Sequence, residues 1–400
     1  MRILSLTAQK PDSTGSGVFL SELVRGFAAL GHEQAVLCGT TAEDEIHLPA
    51  GVRVYPVHYA SRELPFPVCG MSDEMPYEST RYRDLSEAMT RQLMAAFRQT
   101  LRRAVTEFEP DVILCHHLYF LAALARQMFP EIPVYGQCHG SDLRQLATNP
   151  WQGDWIKEEI RDLTGIFALH EAQKKQICDV FDLPAHRVTV VGTGYNSNVF
   201  FRDEEAKATR DSDKFRYIFA GKLSEKKGVY SLLRCLGALE NPADAEILLA
   251  GGCGSEEELE KLKAMAEKRR CQVNFLGKLD QKTLARWMNQ SDAFILPSFF
   301  EGLPLVLIEA MACGLRTICT DLPGIRPWLD RALPENGTIF VTPPPMRNTD
   351  EPIPESLPDF EKRLARAMDD ARQAKLPDAQ QVSDLSWDAL CEKLIHIFRR

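Results

Sequence analysis

No stretch of the 400 residues approaches the roughly 18–20 consecutive apolar side chains that a membrane-spanning helix needs. A charged-then-apolar leader is missing too, since the strand-like run "RILSLT" begins at the second residue. A cytoplasmic location is the expectation, with peripheral membrane contact left open. The net charge of −9 excludes general nucleic-acid binding, which needs a broad basic face. The eleven cysteines never form a C-x-x-C pair, and Cys115, Cys138 and Cys319 sit inside apolar runs. They read as small buried hydrophobes in reducing surroundings, and no structural zinc is expected. No G-x-x-x-x-G-K-[ST] occurs, which removes a phosphate-loop ATPase. The opening "GSGVFLSELVRGFAALGHE" has Gly15 and Gly17 of a dinucleotide fingerprint, but Leu20 stands where its third glycine belongs. A bound NAD is therefore not expected, nor any other cofactor. The loop still offers backbone N–H groups at a helix N-terminus to an anionic or hydroxyl-rich ligand.

What is present is a β-α alternation. With 44% apolar and 26% charged residues, the chain is globular, and its length suits two domains. Strand-like runs fall at 3–6, 35–38, 52–57, 112–115, 134–138, 166–169 and 188–191 in the first half. They fall at 217–220, 247–250, 273–276, 294–296, 317–320 and 339–341 in the second. Leu20, Leu23, Val24, Phe27 and Leu30 mark the first helix, which Gly31 ends. The spacing of Leu85, Met89, Leu93, Phe97 and Leu101 predicts another, accompanied by Arg91, Arg98, Arg102 and Arg103. This alternation implies α/β architecture: two Rossmann-like, doubly wound domains facing across a cleft. The expected divisions are 1–201, a charged linker at 202–214, a second domain at 215–383, and a terminal amphipathic helix at 384–400. "DSD" at 211–213 is expected to be solvated.

Three stretches carry candidate chemistry. In "PSFFEGLPLVLIEAMACGL", Glu309 is the single charge between Leu303 and Leu315, on a helix expected to be buried all round. A lone carboxylate there needs a partner, either a group within the core or a ligand with hydroxyl donors, and a ribose diol is a good match for a bidentate acceptor. Glu301 precedes the helix, at whose first position Pro304 fits. In "FAGKLSEKKGV", Lys222 and Lys227 lie in a strand-to-helix loop, where two cations can neutralise a diphosphate without a metal. In "YGQCHGSDL", His139 follows a strand and can hydrogen-bond a sugar hydroxyl. His116 and His117 follow another strand edge.

These stretches, together with the opening loop, resemble the family 4 retaining glycosyltransferases over most of the chain. The E-x7-E pair Glu301 and Glu309 is the most specific element. The resemblance implies the two-Rossmann-domain GT-B fold and a hexosyltransferase-type activity that moves a sugar from a nucleotide-diphosphate sugar with retention. It implies that Glu309 holds the ribose. Glu301 with the backbone of Gly302, Leu303, Pro304 and Leu305 would hold the donor sugar and phosphates. Lys222 and Lys227 would hold the diphosphate, and His139 the sugar's hydroxymethyl side. Gly15 and Gly17 would approach the phosphates and acceptor, and the "LGKLD" segment around Leu279 would contact the base. The terminal helix would cross back onto the first domain. Lys222 stands where the family usually has arginine, which keeps the charge but loses the bidentate fork. Asn196 stands where aspartate is common. The segment 59–86 matches nothing general in the family; its Arg81 and Arg83 are candidates to clamp an acceptor's carboxylate or phosphate, as His116 and His117 are to line the acceptor. A small molecule, glycan or lipid acceptor and a homodimer all stay open. A sugar-nucleotide epimerase of the same fold and a degenerate sugar-nucleotide-binding subunit are the alternatives.

Overall fold

The computed structural model describes residues 1–11, 13–72, 75–301, 303–348, 351–376 and 382–400. They form two compact units, Met1–Thr193 with Trp387–Arg400 and Gly194–Ser386.

The first unit holds seven parallel strands: β1 (Arg2–Thr7), β2 (Glu33–Thr40), β3 (Arg53–His58), β4 (Val112–His116), β5 (Val134–Gln137), β6 (Gly165–Ala168) and β7 (Val188–Val190). Their order is β3-β2-β1-β4-β5-β6-β7. The central strands are buried along nearly their whole length, as expected of a parallel sheet covered on both faces. Strand order reverses between β1 and β4, so the loops at their carboxyl ends diverge and leave a crevice. The helix Glu87–Phe108 covers one face through Leu93, Phe97, Leu101, Ala104 and Phe108, all buried. Each such large side chain contributes about 1.5–3 kcal/mol by leaving water. On the other face the terminal helix Trp387–Phe398 lies against the helix Gly15–Ala29. A Cβ on Gly26 would stand 2.4 Å from Cys391 Sγ, so this contact needs glycine.

The second unit repeats the plan with six parallel strands: β8 (Phe215–Ala220), β9 (Ala245–Ala250), β10 (Gln272–Gly277), β11 (Ala293–Leu296), β12 (Arg316–Thr320) and β13 (Ile339–Val341). Their order, β10-β9-β8-β11-β12-β13, puts the switch between β8 and β11.

Two boundaries differ from the sequence expectation. The segment 202–214 is no free linker. It forms the helix Glu204–Ala208 and docks on the second unit, where Arg210 pairs with Asp292 at 2.8 Å. The units therefore divide after Thr193 rather than after residue 201. Asp211 is solvated, as expected, but it is not without a partner. Its carboxylate is exposed but sits 2.9 Å from the guanidinium of Arg216, which is buried. The Arg210–Asp292 pair spans 82 residues and leaves no local periodicity to read. The terminal helix begins at Trp387 rather than residue 384. The short parallel pair Cys69–Gly70 and Thr80–Arg81 had no sequence counterpart.

Candidate functional site

In each unit several candidate residues lie in the loops that follow the strands at or beside the switch point. The helix Gly15–Ala29 starts in the loop after β1. Thr14 caps it, its hydroxyl accepting from Gly17 N at 3.1 Å. Gly15 and Gly17 are thus the helix's first residues, not a turn before it. Gly15 is exposed, and a Cβ there would meet nothing within 4 Å. Gln9 orders this entry: its amide donates to Thr14 and Ser16 and accepts from Met71 N.

His116 ends β4, His117 follows it, and His139 follows β5. His116 Nδ1 lies 3.3 Å from His139 Nε2, and the two rings stack with centroids 5.5 Å apart. Phe19, from the helix Gly15–Ala29, packs edge-on against His139 at 5.1 Å. Trp387 backs Phe19 in turn, with 4.9 Å between centroids. Asp142, which the sequence reading missed, holds the two loops together. Its fully buried carboxylate accepts from Leu118 N at 2.8 Å, Gly140 N at 2.7 Å and Leu143 N at 3.1 Å. Its place three residues past His139, at the start of a helix, was the available clue.

Burial pushes His116 down to about 3, with His117 adding to the effect. Burial and the two neighbouring rings hold His139 well below the usual histidine range. His117 is lowered by burial, against the pull of Asp142. All three are neutral in the folded protein near pH 7. The unfolded chain takes up protons below about pH 6.5, so it binds more protons there than the native state. Stability of the first unit is expected to fall as pH drops from about 6.5 towards 3. His116→Gln should flatten that slope by up to about 1.4 kcal/mol per pH unit, read from denaturation midpoints against pH. A profile that this substitution leaves unchanged would refute the assignment. Among the described residues, no group of three or more His, Cys, Asp or Glu is arranged to hold a metal.

In the second unit, the loops after β8 and β11 meet. Gly228 makes this possible: its φ is +70°, and a Cβ there would lie 2.0 Å from Pro297 O. Phe299 N also donates to Lys226 O at 3.0 Å. The approach brings Lys227 Nζ within 2.6 Å of Glu301 Oε1. The hydroxyl of Ser298, fully buried, donates to the same oxygen at 2.7 Å. Neither Gly228 nor Ser298 was singled out in the sequence; a glycine directly before a helix in "KKGV" was the only hint. Lys222 is exposed, with no ion pair among the described residues.

The helix Leu305–Ala312 follows, and two details differ from expectation. Pro304 is its N-cap with extended backbone, not its first helical residue. The helix is buried through Leu307, Ile308, Ala310 and Met311, while Leu305, Val306 and Ala312 are only partly covered. Glu309 shares that half-buried face and already interacts with other protein groups. Gly302 lies outside the described residues. Leu279 is half-buried beyond β10. Arg81, a candidate acceptor clamp, already has a carboxylate partner. It pairs with Asp84 at 2.6 Å on the surface, with the buried Tyr82 separating it from the exposed Arg83. Arg83 is itself not without a partner. The cysteines are all free thiols and, apart from Cys178 and Cys253, buried.

The family model described as Glycosyltransferase Family 4 matches residues 13–199, and that described as Glycosyl transferases group 1 matches residues 200–348. An uncharacterized glycosyltransferase of Methanocaldococcus jannaschii is 25% identical over 169 residues, which are 40% of this chain and 43% of that protein. Glycogen synthase of Mycobacterium tuberculosis is 23% identical over 345 residues, 81% of this chain and 79% of that protein. Among solved structures, sucrose-phosphate synthase from Thermosynechococcus elongatus superposes with a TM-score of 0.68 at 15% identity, covering 100% of this chain and 98% of that one. HepE of Anabaena in complex with UDP and glucose gives 0.63 at 16% identity, covering 100% and 99%. Identities this low speak for the fold alone, and these structures share the GT-B plan. No helix among the described residues is long and apolar enough to cross a membrane.

Proposed function

The chain belongs to the family 4 glycosyltransferases, and on that premise we propose that it transfers a sugar from a UDP-sugar to an acceptor with retention and without a metal. The observation that carries this reading is the meeting of Lys227 and Glu301 on two loops at the switch point of the second sheet, with Glu309 two turns further on. The choice of uridine draws support from the UDP in the HepE complex. Glu309 takes the ribose diol, and Glu301 the hydroxyls of the transferred sugar. Lys222 and Lys227 take the diphosphate. Lys227 is shared between Glu301 and the phosphates, so its charge is already in place before the donor arrives. The first unit receives the acceptor at the carboxyl edge that carries Gly15, Gly17, His116, His117 and His139.

None of these groups is placed as a general base. The step is a front-face displacement. The bond from the anomeric carbon to the leaving phosphate oxygen breaks while the acceptor oxygen bonds to the same face. The leaving oxygen takes the acceptor's proton, and the two lysines stabilise the charge that develops on the diphosphate.

A thermal-shift series with UDP, GDP, ADP and their common sugar conjugates tests the assignment. UDP is expected to raise the melting temperature, by mass action on the native state, and Glu309→Ala to remove that shift. The reading fails if no nucleoside diphosphate shifts the transition, or if Glu309→Ala leaves the shift intact. Release of UDP should persist in EDTA; its loss there would end the metal-free mechanism.

A further inference from the structure

We propose that a groove on the first unit, separate from the residues assigned above, binds a phosphate monoester that also carries hydroxyl groups. The groove runs between the loop after β3 and the helix Glu87–Phe108 and encloses about 640 Å³. That is within the roughly 300–1,000 Å³ of small-molecule sites. Arg62 projects from the loop wall and Arg103 from the helix wall, with His58 beside them. Neither guanidinium has an ion pair among the described residues. Two planar forks from opposite walls suit the several oxygens of a phosphate dianion. Glu63, Gln99 and Thr100, in the same lining, are positioned to take hydroxyls.

The surroundings favour an anion. The chain as a whole has a net charge of −9, yet residues 88–106 contain Arg91, Arg98, Arg102 and Arg103 and no acid. Among the described residues, only Arg91 of these has a carboxylate partner, Glu87. The groove therefore lies in a locally positive field on an otherwise acidic protein. Its walls are ordered before any ligand arrives. The Ser61 hydroxyl donates to His58 O at 2.8 Å and accepts from Glu63 N at 3.2 Å and Leu64 N at 3.1 Å. Ala60 adopts a φ of +52°, an uncommon backbone for a residue other than glycine, and so turns the chain into this loop. On the helix side, the Arg103 guanidinium rests 5.8 Å from the Tyr55 ring centroid, which limits its motion.

Titration with glycerol 3-phosphate, followed by phosphorus NMR, tests the site, with glycerol as the uncharged control. Vesicles containing phosphatidic acid test whether the monoester is presented by a lipid instead. Saturable binding in either arm, weakened about tenfold or more by Arg62→Ala with Arg103→Ala, supports the proposal and identifies the source. The double lysine variant keeps both charges without the forks and should bind with intermediate affinity. The proposal falls if neither probe binds at about 10 mM. It also falls if the double alanine variant binds as tightly as the wild type, or if glycerol binds equally well. The UDP-induced thermal shift should be unchanged in these variants, so failure here is distinguishable from failure of the donor assignment.

Discussion

Lys227→Met is expected to weaken UDP binding about 100-fold and to lower UDP release from its sugar donor by about 10²–10³-fold. The substitution keeps the length of the side chain and removes its charge. In the native structure that charge lies 2.6 Å from Glu301, with the lysine 31% and the glutamate 13% exposed. A cation so placed is partly shielded from water and held by its carboxylate partner, so reorganisation costs little when negative charge develops on the leaving diphosphate. Removing it also leaves Glu301 with Ser298 as its remaining donor of the two, which raises the free energy of the empty site. Glu301→Gln should behave differently. It releases Lys227 for the phosphates while keeping a neutral acceptor for Ser298, so turnover falls more than UDP affinity does. Calorimetric UDP titrations and UDP-release assays on both variants separate these effects. Wild-type UDP affinity in Lys227→Met would mean that the diphosphate binds elsewhere.

The second large effect concerns stability. Arg216→Met should cost about 3–5 kcal/mol, lowering the unfolding transition of the second unit in chemical denaturation. Arg216 on β8 and Glu246 on β9 are cross-strand partners in register, 2.8 Å apart, with side chains 2% and 4% exposed. Asn274 donates to the other Glu246 oxygen at 2.8 Å, and Gln290 O accepts from the Arg216 guanidinium at 3.3 Å. Removing the arginine strands a buried carboxylate, whose desolvation is then uncompensated. It also frees Asp211 and loosens the docked 202–214 segment. Adding Glu246→Gln should recover a large part of the loss, because a neutral amide tolerates the site. A loss below about 1 kcal/mol in the single variant would show that the network is not holding the segment.

Much of the plan was legible because it rests on local patterns. Each of the thirteen strand-like runs coincides with a strand, most of them extended by a residue or two at the ends. Strands of a covered parallel sheet are apolar on both faces, so they appear as continuous runs between loops. Their polar ends pair through the backbone, which composition does not reveal: Arg2 and Glu33 are such extensions. The candidate glutamates and lysines were visible for a similar reason, being charges directly after strands or alone on an apolar helix. Asp142 was harder to see, since an aspartate near a helix start is common and only its complete burial marks this one as a hub. The pairing of the candidate Arg81 with Asp84, three residues along, was not visible in composition either.

By itself, the order of residues determined which segments become strand or helix, since hydrophobic spacing acts over a few neighbours. It also determined that acidic and basic groups would stand at strand ends, because the apolar runs stop there. Only the tertiary structure decided which of those groups touch. Lys227 reaches Glu301 across 74 residues because Gly228 lets one backbone lie against another. Arg210 reaches Asp292 across 82, and so turns an expected linker into part of a domain. Coulombic attraction and close packing depend on distance in space, which strand order sets and sequence separation does not.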